Sequence, residues 1–256
     1  AANSRSRGRI IMGGKISGHL AVWALRLAIF SPLVMLIAGG LYRLRFVDFQ
    51  LPLLAFAGAV LLAALAALFG LVGAVLGVRG EQGKPARAMS ALVVALLVLV
   101  APLNTVRQGA GVPMIHDITT DLEDPPIFVE VPRKRSVSDN SLDIDAEVLA
   151  AQKAYYTDIG PTMLPMAKAE AFALVREAVE VSGWVVHAEN ANLGYIEATA
   201  STPFFGFRDD VIIRVAEEAG RVRVDMRSAS RVGLSDLGVN AGRIRDFMGL
   251  VAQKAN

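Results

Sequence analysis

The sequence contains no cysteine and only three histidines, His19, His116 and His187. The first absence removes disulfides, thiolate catalysis and zinc–thiolate centres together. The second leaves no three-histidine metal site, because His19 heads an apolar run far from the other two. Acids are scarce in one half: up to Val106 there are ten Lys/Arg against Asp48 and Glu81, a balance of +8. From Arg107 onward sixteen Lys/Arg stand against twenty-two acids, −6, and the two parts sum to the +2 of the whole chain. A basic apolar half and an acidic remainder argue against nucleic acid as a partner, since phosphate binding needs clustered Lys/Arg on the folded part. Motifs of catalysis are also missing. Gly109-x-Gly111 runs into Pro113 and is no phosphate loop, and GLSDLG at residues 233–238 carries its second glycine one place too late for a nucleophile elbow. A Ser-His-acid triad would have to rest on His187 alone, on a strand. No catalytic residue, cofactor or metal is expected.

What is abundant is apolar surface: 54% of the residues are hydrophobic, above the range of ordinary soluble domains. The excess lies in three runs, residues 19–41, 49–78 and 88–106, each reaching or approaching the ~20 residues that cross ~30 Å of hydrocarbon as a helix. Residues 1–18 read as a disordered basic tail against anionic headgroups, and residues 19–106 as a three-helix transmembrane region. The first run reads as a retained span rather than a cleaved leader, because no small-x-small site precedes the mature domain and two spans follow. Arg5, Arg7, Arg9 and Lys15 precede the first run, Arg43 and Arg45 follow it, and Arg79, Lys84 and Arg87 follow the second. Tail and second connection share a side, so the positive-inside rule places both in the cytoplasm and everything after Arg107 in the periplasm, across the cell inner membrane. No span holds the Asp, Glu or His chain of a proton path, which excludes a transporter. Arg26 inside the first span reads as a contact to a partner helix or headgroup, or as a snorkelling side chain. Gly70, Gly73 and Gly77 form a small-residue ridge that lets helices approach closely, either within the bundle or at an interface.

Residues 107–164 are rich in Pro, Asp and turn formers and read as an extended linker and arm, with Pro125, Pro126 and Pro132 forbidding long helix. Asp117, Asp121, Glu123 and Asp124 lack the ligand spacing of a calcium loop and read as turns and Asx caps. AEVLAAQKAYY after Asp145 reads as a short helix with an acidic start.

Residues 165–256 carry the folded pattern. An amphipathic helix at residues 165–182 is followed by four alternating runs, 184–189, 195–201, 209–217 and 221–228, and by a closing helix from Val239. Short gaps between the runs mean antiparallel neighbours. The expected fold class is therefore α+β: three transmembrane helices, then an extracytoplasmic two-layer domain with a four-stranded antiparallel meander flanked by helices. Ile196, Ala198, Ala200, Val211, Ile213, Val215, Val222, Val224 and Met226 face the helices. Tyr195, Glu197, Thr199, Arg214, Arg223, Asp225 and Arg227 face the other way, as a solvated surface with cross-strand charge pairs or as a binding surface. Trp184 should begin an edge or near-edge strand with its ring under the Phe172 helix.

Three segments carry a resemblance: HDITTDLEDPPIF at residues 116–128, GYIEATASTPFFGFRDDVIIRV at residues 194–215, and VDMRSASRVGLSDLGVNAGRIRDF at residues 224–247. They resemble the signature segments of an uncharacterised bacterial and plastid family, the domain of unknown function numbered 1499. The likeness covers roughly the last 140 residues and implies a membrane-attached member of that family. The family supplies no established catalytic residues to carry over.

The densest polar constellation is Arg208, Asp209 and Asp210 with Arg231, Ser235, Asp236 and Asn240. If these loops meet at one sheet end, Arg208 and Arg231 could grip an anion or a partner, with Phe204, Phe205 and Phe207 as an apolar lip. The structural alternative pairs Arg231 with Asp209 or Asp236 and uses the Ser and Asn residues as caps. The expected function is a membrane-anchored extracytoplasmic protein that docks another membrane or envelope protein or stabilises a larger assembly, in contact with the lipid bilayer. The alternative is a small-ligand or lipid-binding module of the envelope.

Overall fold

The computed structural model describes residues 2–79 and 84–255, with side chains from Lys15 to Val78 and from Lys84 to Ala255. Backbone polar groups find no partner in hydrocarbon, so apolar runs of spanning length satisfy them internally as helices. Three such helices form: α1 (Ala2–Arg43), α2 (Gln50–Arg79) and α3 (Pro85–Gly109). Each contains a segment long and apolar enough to cross a membrane. The basic lead expected as a disordered tail instead continues α1 back to Ala2, because extending an existing helix avoids the cost of nucleating one. The side chains of Arg5, Arg7, Arg9 and Arg79, and residues 80–83 of the second connection, lie outside the described residues.

Packing inside this first unit, residues 1–107, is the inverse of a soluble bundle. Its two buried clusters are built on alanines, one per helix: Ala21, Ala74 and Ala88 in one layer, Ala28, Ala66 and Ala95 in another. Large side chains point outward, with Leu36, Ile37, Leu54, Leu61, Leu97 and Leu103 at least 60% exposed. Small residues inside and large apolar ones outside suit helices that associate by close contact among lipid tails. A Cβ on Gly70 would lie 2.9 Å from the Ala88 carbonyl oxygen and the Leu92 backbone nitrogen, and one on Gly77 would lie 2.7 Å from Ser17 Oγ. Ser17 Oγ donates to the Gly73 carbonyl at 2.8 Å.

The second unit, residues 108–256, is α+β. Its elements are β1 (Asp117–Thr119), a 3₁₀ turn (Val131–Lys134), α4 (Ala146–Tyr155), β2 (Thr162–Leu164), α5 (Lys168–Val181), β3 (Val185–Asn190), β4 (Tyr195–Ser201), β5 (Arg208–Glu218), β6 (Arg221–Ser230) and α6 (Val239–Lys254). Strands β3 to β6 form the antiparallel meander. The sheet has six strands rather than four: β1 and β2 lie in tandem along the outer edge of β6, pairing with residues 227–229 and 222–224. Runs of three residues carry too little alternation to be read, and pairing to the long β6 creates them. Gly194 opens β4 at φ +75, where a Cβ would strike the Val215 carbonyl oxygen.

Helices α5 and α6 cover one face. Phe172, Val175, Val179, Ile244, Phe247 and Val251 pack on Ile196, Val211, Ile213, Val215, Val224 and Met226 in one core. Trp184 directly precedes edge strand β3 and stacks on Phe247 of α6, with ring centroids 5.1 Å apart. The opposite face differs from the solvated surface expected of it. Residues 120–145 cross it as a third layer, with Phe128, Val131 and Leu142 packed on Ile212 and Ala229. Glu197, Thr199, Asp225 and Arg227 are consequently buried. Alternation reads the same whether the polar face meets water or a polar strap.

Candidate functional site

Strand β5 opens Arg208, Asp209, Asp210, and the two-residue period sends the adjacent carboxylates to opposite faces of the sheet. The constellation that the sequence groups as one site is therefore two.

On the arm face, fully buried Asp210 accepts from Arg231 Nε at 3.0 Å and Nη2 at 2.8 Å, and from Arg135 Nε at 2.8 Å. The Thr199 hydroxyl, directly opposite in register, donates to Asp210 at 2.6 Å. Its single proton being spent, Thr199 Oγ1 accepts from Arg231 Nη2 at 3.3 Å and from His187 Nε2 at 2.7 Å, which fixes the Nε2–H tautomer. Burial, reinforced by Lys134 and Arg231, holds the His187 pKa below its ordinary value. Arg231 also donates to the Lys134 carbonyl and lies 3.8 Å from Asp139.

On the helix face, Asp209 accepts from Arg243 Nη2 at 2.6 Å. Arg243 Nη1 donates to Ser228 Oγ and to Asn240 Oδ1, and Asn240 Nδ2 donates to the His116 carbonyl at 3.0 Å and to Ser230 Oγ at 2.9 Å. Asp236 accepts the backbone N–H groups of Gly238 at 2.8 Å and Asn240 at 2.7 Å, capping α6. Burial pushes its pKa up against those two bonds. Ser235 Oγ accepts the Leu237 N–H. With Gly233 at φ +93 and Gly238 at φ +85, GLSDLG is the turn into α6. Arg231 thus pairs with Asp210 rather than Asp209 or Asp236. Arg208 gives its carbonyl to the Arg231 N–H. Phe204 meets Phe205 edge to face with centroids 4.9 Å apart, and Phe205 stacks on Phe207 at 5.1 Å.

Three further charge groups fix the arm, and the sequence reading placed none of them there. Glu197, fully buried, accepts the consecutive backbone N–H groups of Val129, Glu130 and Val131 at the start of the 3₁₀ turn. Arg227 is clamped by Asp117 at 2.6 Å and by the carbonyls of Pro126 and Leu142. Arg214 and Arg223 share Asp225 and Asp121, and Arg214 also reaches Asp124. Burial pushes the Asp121 carboxyl up, but the N–H groups of Asp124 and Glu123 with the two guanidinium groups bring it below the usual carboxylate range. Asp145 caps α4 through Glu147 and Val148. Apolar Phe128 and Val131 inside a polar segment were the available signal that the arm packs.

Two concavities stand out among the described residues. A cleft of about 330 Å³ is lined by His116, Asp117, Asn140, Asp143, Asp145 and Arg227, and the buried His116 Nδ1 has no hydrogen-bond partner among the described residues. A groove of about 270 Å³ is lined by Pro126, Ile127, Val129, Leu193, Tyr195 and Ile212. Neither is lined by Phe204, Phe205 or Phe207. Among the described residues no group of three or more His, Asp or Glu is placed to hold a metal ion.

A family match falls within this folded unit: the model of the protein of unknown function DUF1499 matches residues 117–251, just over half of the chain. The chain belongs to the DUF1499 family. No curated protein matches it. The DUF1499 match begins at the first residue of β1 and ends within α6, so the arm and the edge strands belong to the family domain together with the meander.

Proposed function

We propose that this DUF1499 protein is anchored in the cell inner membrane by three spans and presents its domain in the periplasm to dock another membrane or envelope protein. Seven Lys/Arg in the lead and the second connection against two in the first support that orientation through the positive-inside rule. The observation carrying the docking role is the groove beside the β3–β4 turn, where Ile127 and Leu193 stand 70% and 71% exposed. The neighbouring charges are consumed in internal ion pairs, Arg214 by three carboxylates, so apolar contact is what the groove offers a partner. Purification of the full chain in mild detergent tests this. Leu193→Asp should abolish stoichiometric co-purification of a partner while leaving thermal unfolding unchanged; retained stoichiometry would reject the groove as the docking surface.

The second reading, a small-ligand module, is favoured by the polar cleft and the unpartnered His116 Nδ1, a nitrogen that a ligand hydroxyl or amine would satisfy. A small molecule that co-purifies with the parent protein and is lost from His116→Phe would support it over docking.

A further inference from the structure

On the outer surface of α1, Lys15, His19, Trp23 and Arg26 follow one another at intervals of four, four and three residues, which places them on one helix face. All four are exposed. The same face continues through Phe30, Leu33, Ile37 and Leu41, all exposed and all apolar. One stripe of the helix is therefore cationic and aromatic at one end and purely apolar at the other. That is the profile of a phospholipid laid along it.

The join between the two parts is the Arg26–Trp23 pair, with the guanidinium carbon 5.2 Å from the indole centroid. Helical side chains lean toward the helix N-terminus, so Arg26 is aimed back along the stripe toward His19 and Lys15. A guanidinium on the outside of a span requires an anion. The membrane half is poor in candidates. The first 106 residues hold only Asp48 and Glu81, both between spans, and no carboxylate pairs with Arg26 among the described residues. Anionic headgroups of the bilayer are then a counter-charge open to it.

Resting on the reading of α1 to α3 as membrane spans, we infer that this face of α1 binds a phospholipid whose headgroup carries net negative charge. Arg26 meets the phosphodiester, with its planar donors matched to two phosphate oxygens. Trp23 sits at headgroup level, as interfacial aromatics do. Lys15 and His19 extend over the headgroup, and one acyl chain lies along Phe30, Leu33 and Ile37. The excess of eight positive charges in this half favours an anionic over a zwitterionic lipid.

The test uses the full chain with Trp184→Phe, which leaves Trp23 as the sole tryptophan, reconstituted in phosphatidylcholine vesicles. A small fixed fraction of brominated phosphatidylglycerol or brominated phosphatidylcholine serves as quencher. Trp23 should be quenched more strongly by the anionic lipid, corresponding to an enrichment of about fivefold per basic residue engaged. Arg26→Gln should remove most of that preference and Arg26→Lys restore part of it, with helicity unchanged by circular dichroism. Should Arg26→Gln fail to reconstitute, Lys15→Gln should lower the preference by itself. Equal quenching by the two lipids, or a preference surviving Arg26→Gln combined with Lys15→Gln, would overturn the inference while leaving the spans intact. No quenching by either lipid would put Trp23 outside the bilayer and overturn the spanning reading as well.

Discussion

Arg231 grips both oxygens of Asp210, at 2.8 and 3.0 Å, with Asp210 on β5, Arg231 one residue past the end of β6, and both buried. Arg135 of the arm holds the same carboxylate from the other side at 2.8 Å, so one aspartate joins β5, β6 and the strap that crosses them. Two guanidinium groups and a hydroxyl around one carboxylate leave it no capacity for a ligand.

Arg231→Ala should therefore act on stability. It leaves Asp210 with one cation and fewer donors, at a cost of about 3 kcal/mol, or roughly 6–12 °C in Tm. Asp210→Ala should cost more, because it strands two buried guanidinium groups. Trp184 fluorescence in a Trp23→Phe background reads the transition, since the Trp184 ring stacks within the domain core. An Arg231→Ala protein that melts like its parent would refute the clamp.

Glu197 fastens the arm through three successive N–H groups. Glu197→Ala should free the strap ahead of a collapse of the meander. Limited trypsin digestion should then cut faster after Arg133, Lys134 and Arg135, while the Trp184 signal is kept. Unchanged cleavage rates would mean that Phe128 and Val131 suffice to hold the arm.

The His187 tether has a definite pH sign. Its folded pKa lies below the ordinary value near 6.5. It therefore contributes stability that is present above 6.5 and lost as pH falls through the folded value, when the folded state resists taking the proton. Denaturation midpoints of the parent should drop between neutral pH and the folded pKa, and His187→Gln should flatten that drop. A parallel pH profile in the variant would assign the loss to other groups.

In the membrane unit, Gly70→Leu should force α2 from α3, since even a Cβ there would lie 2.9 Å from backbone atoms of Ala88 and Leu92. Overpacking of this kind costs about 1–3 kcal/mol. Gly58→Leu is the control, because among the described residues no side chain and no other helix comes within 4 Å of a Cβ at that position. Detergent melts of the two variants should separate; equal melts would deny Gly70 a packing role.

The parts of this fold that were legible in the sequence are those whose pattern repeats. Three apolar runs, the amphipathic α5 and the alternating β3 to β6 announce themselves by period, and Ile196, Val211, Val224 and Met226 were assigned to the helix face from alternation alone. The third layer was not legible, because its arm is held by single contacts: Glu197 on three N–H groups, Arg227 on Asp117, Arg135 on Asp210. Such pairs lie 66 to 110 residues apart and leave no local signature. The same alternation that identified the faces also shows why Asp209 and Asp210 cannot serve one site. Adjacent strand residues point apart, a constraint that outweighs their proximity in a list of polar residues.

The most direct test of the docking role places a photo-crosslinking amino acid at Ile127 and at Leu193, and at Glu217 on the exposed end of β5 as a control, in the full-length protein in intact cells. The account predicts one discrete adduct of constant mass from both groove positions, none from Glu217, and loss of the Ile127 adduct when Leu193→Asp is added. Adducts of equal yield at all three positions, or none at any position in protein that melts normally, would contradict it.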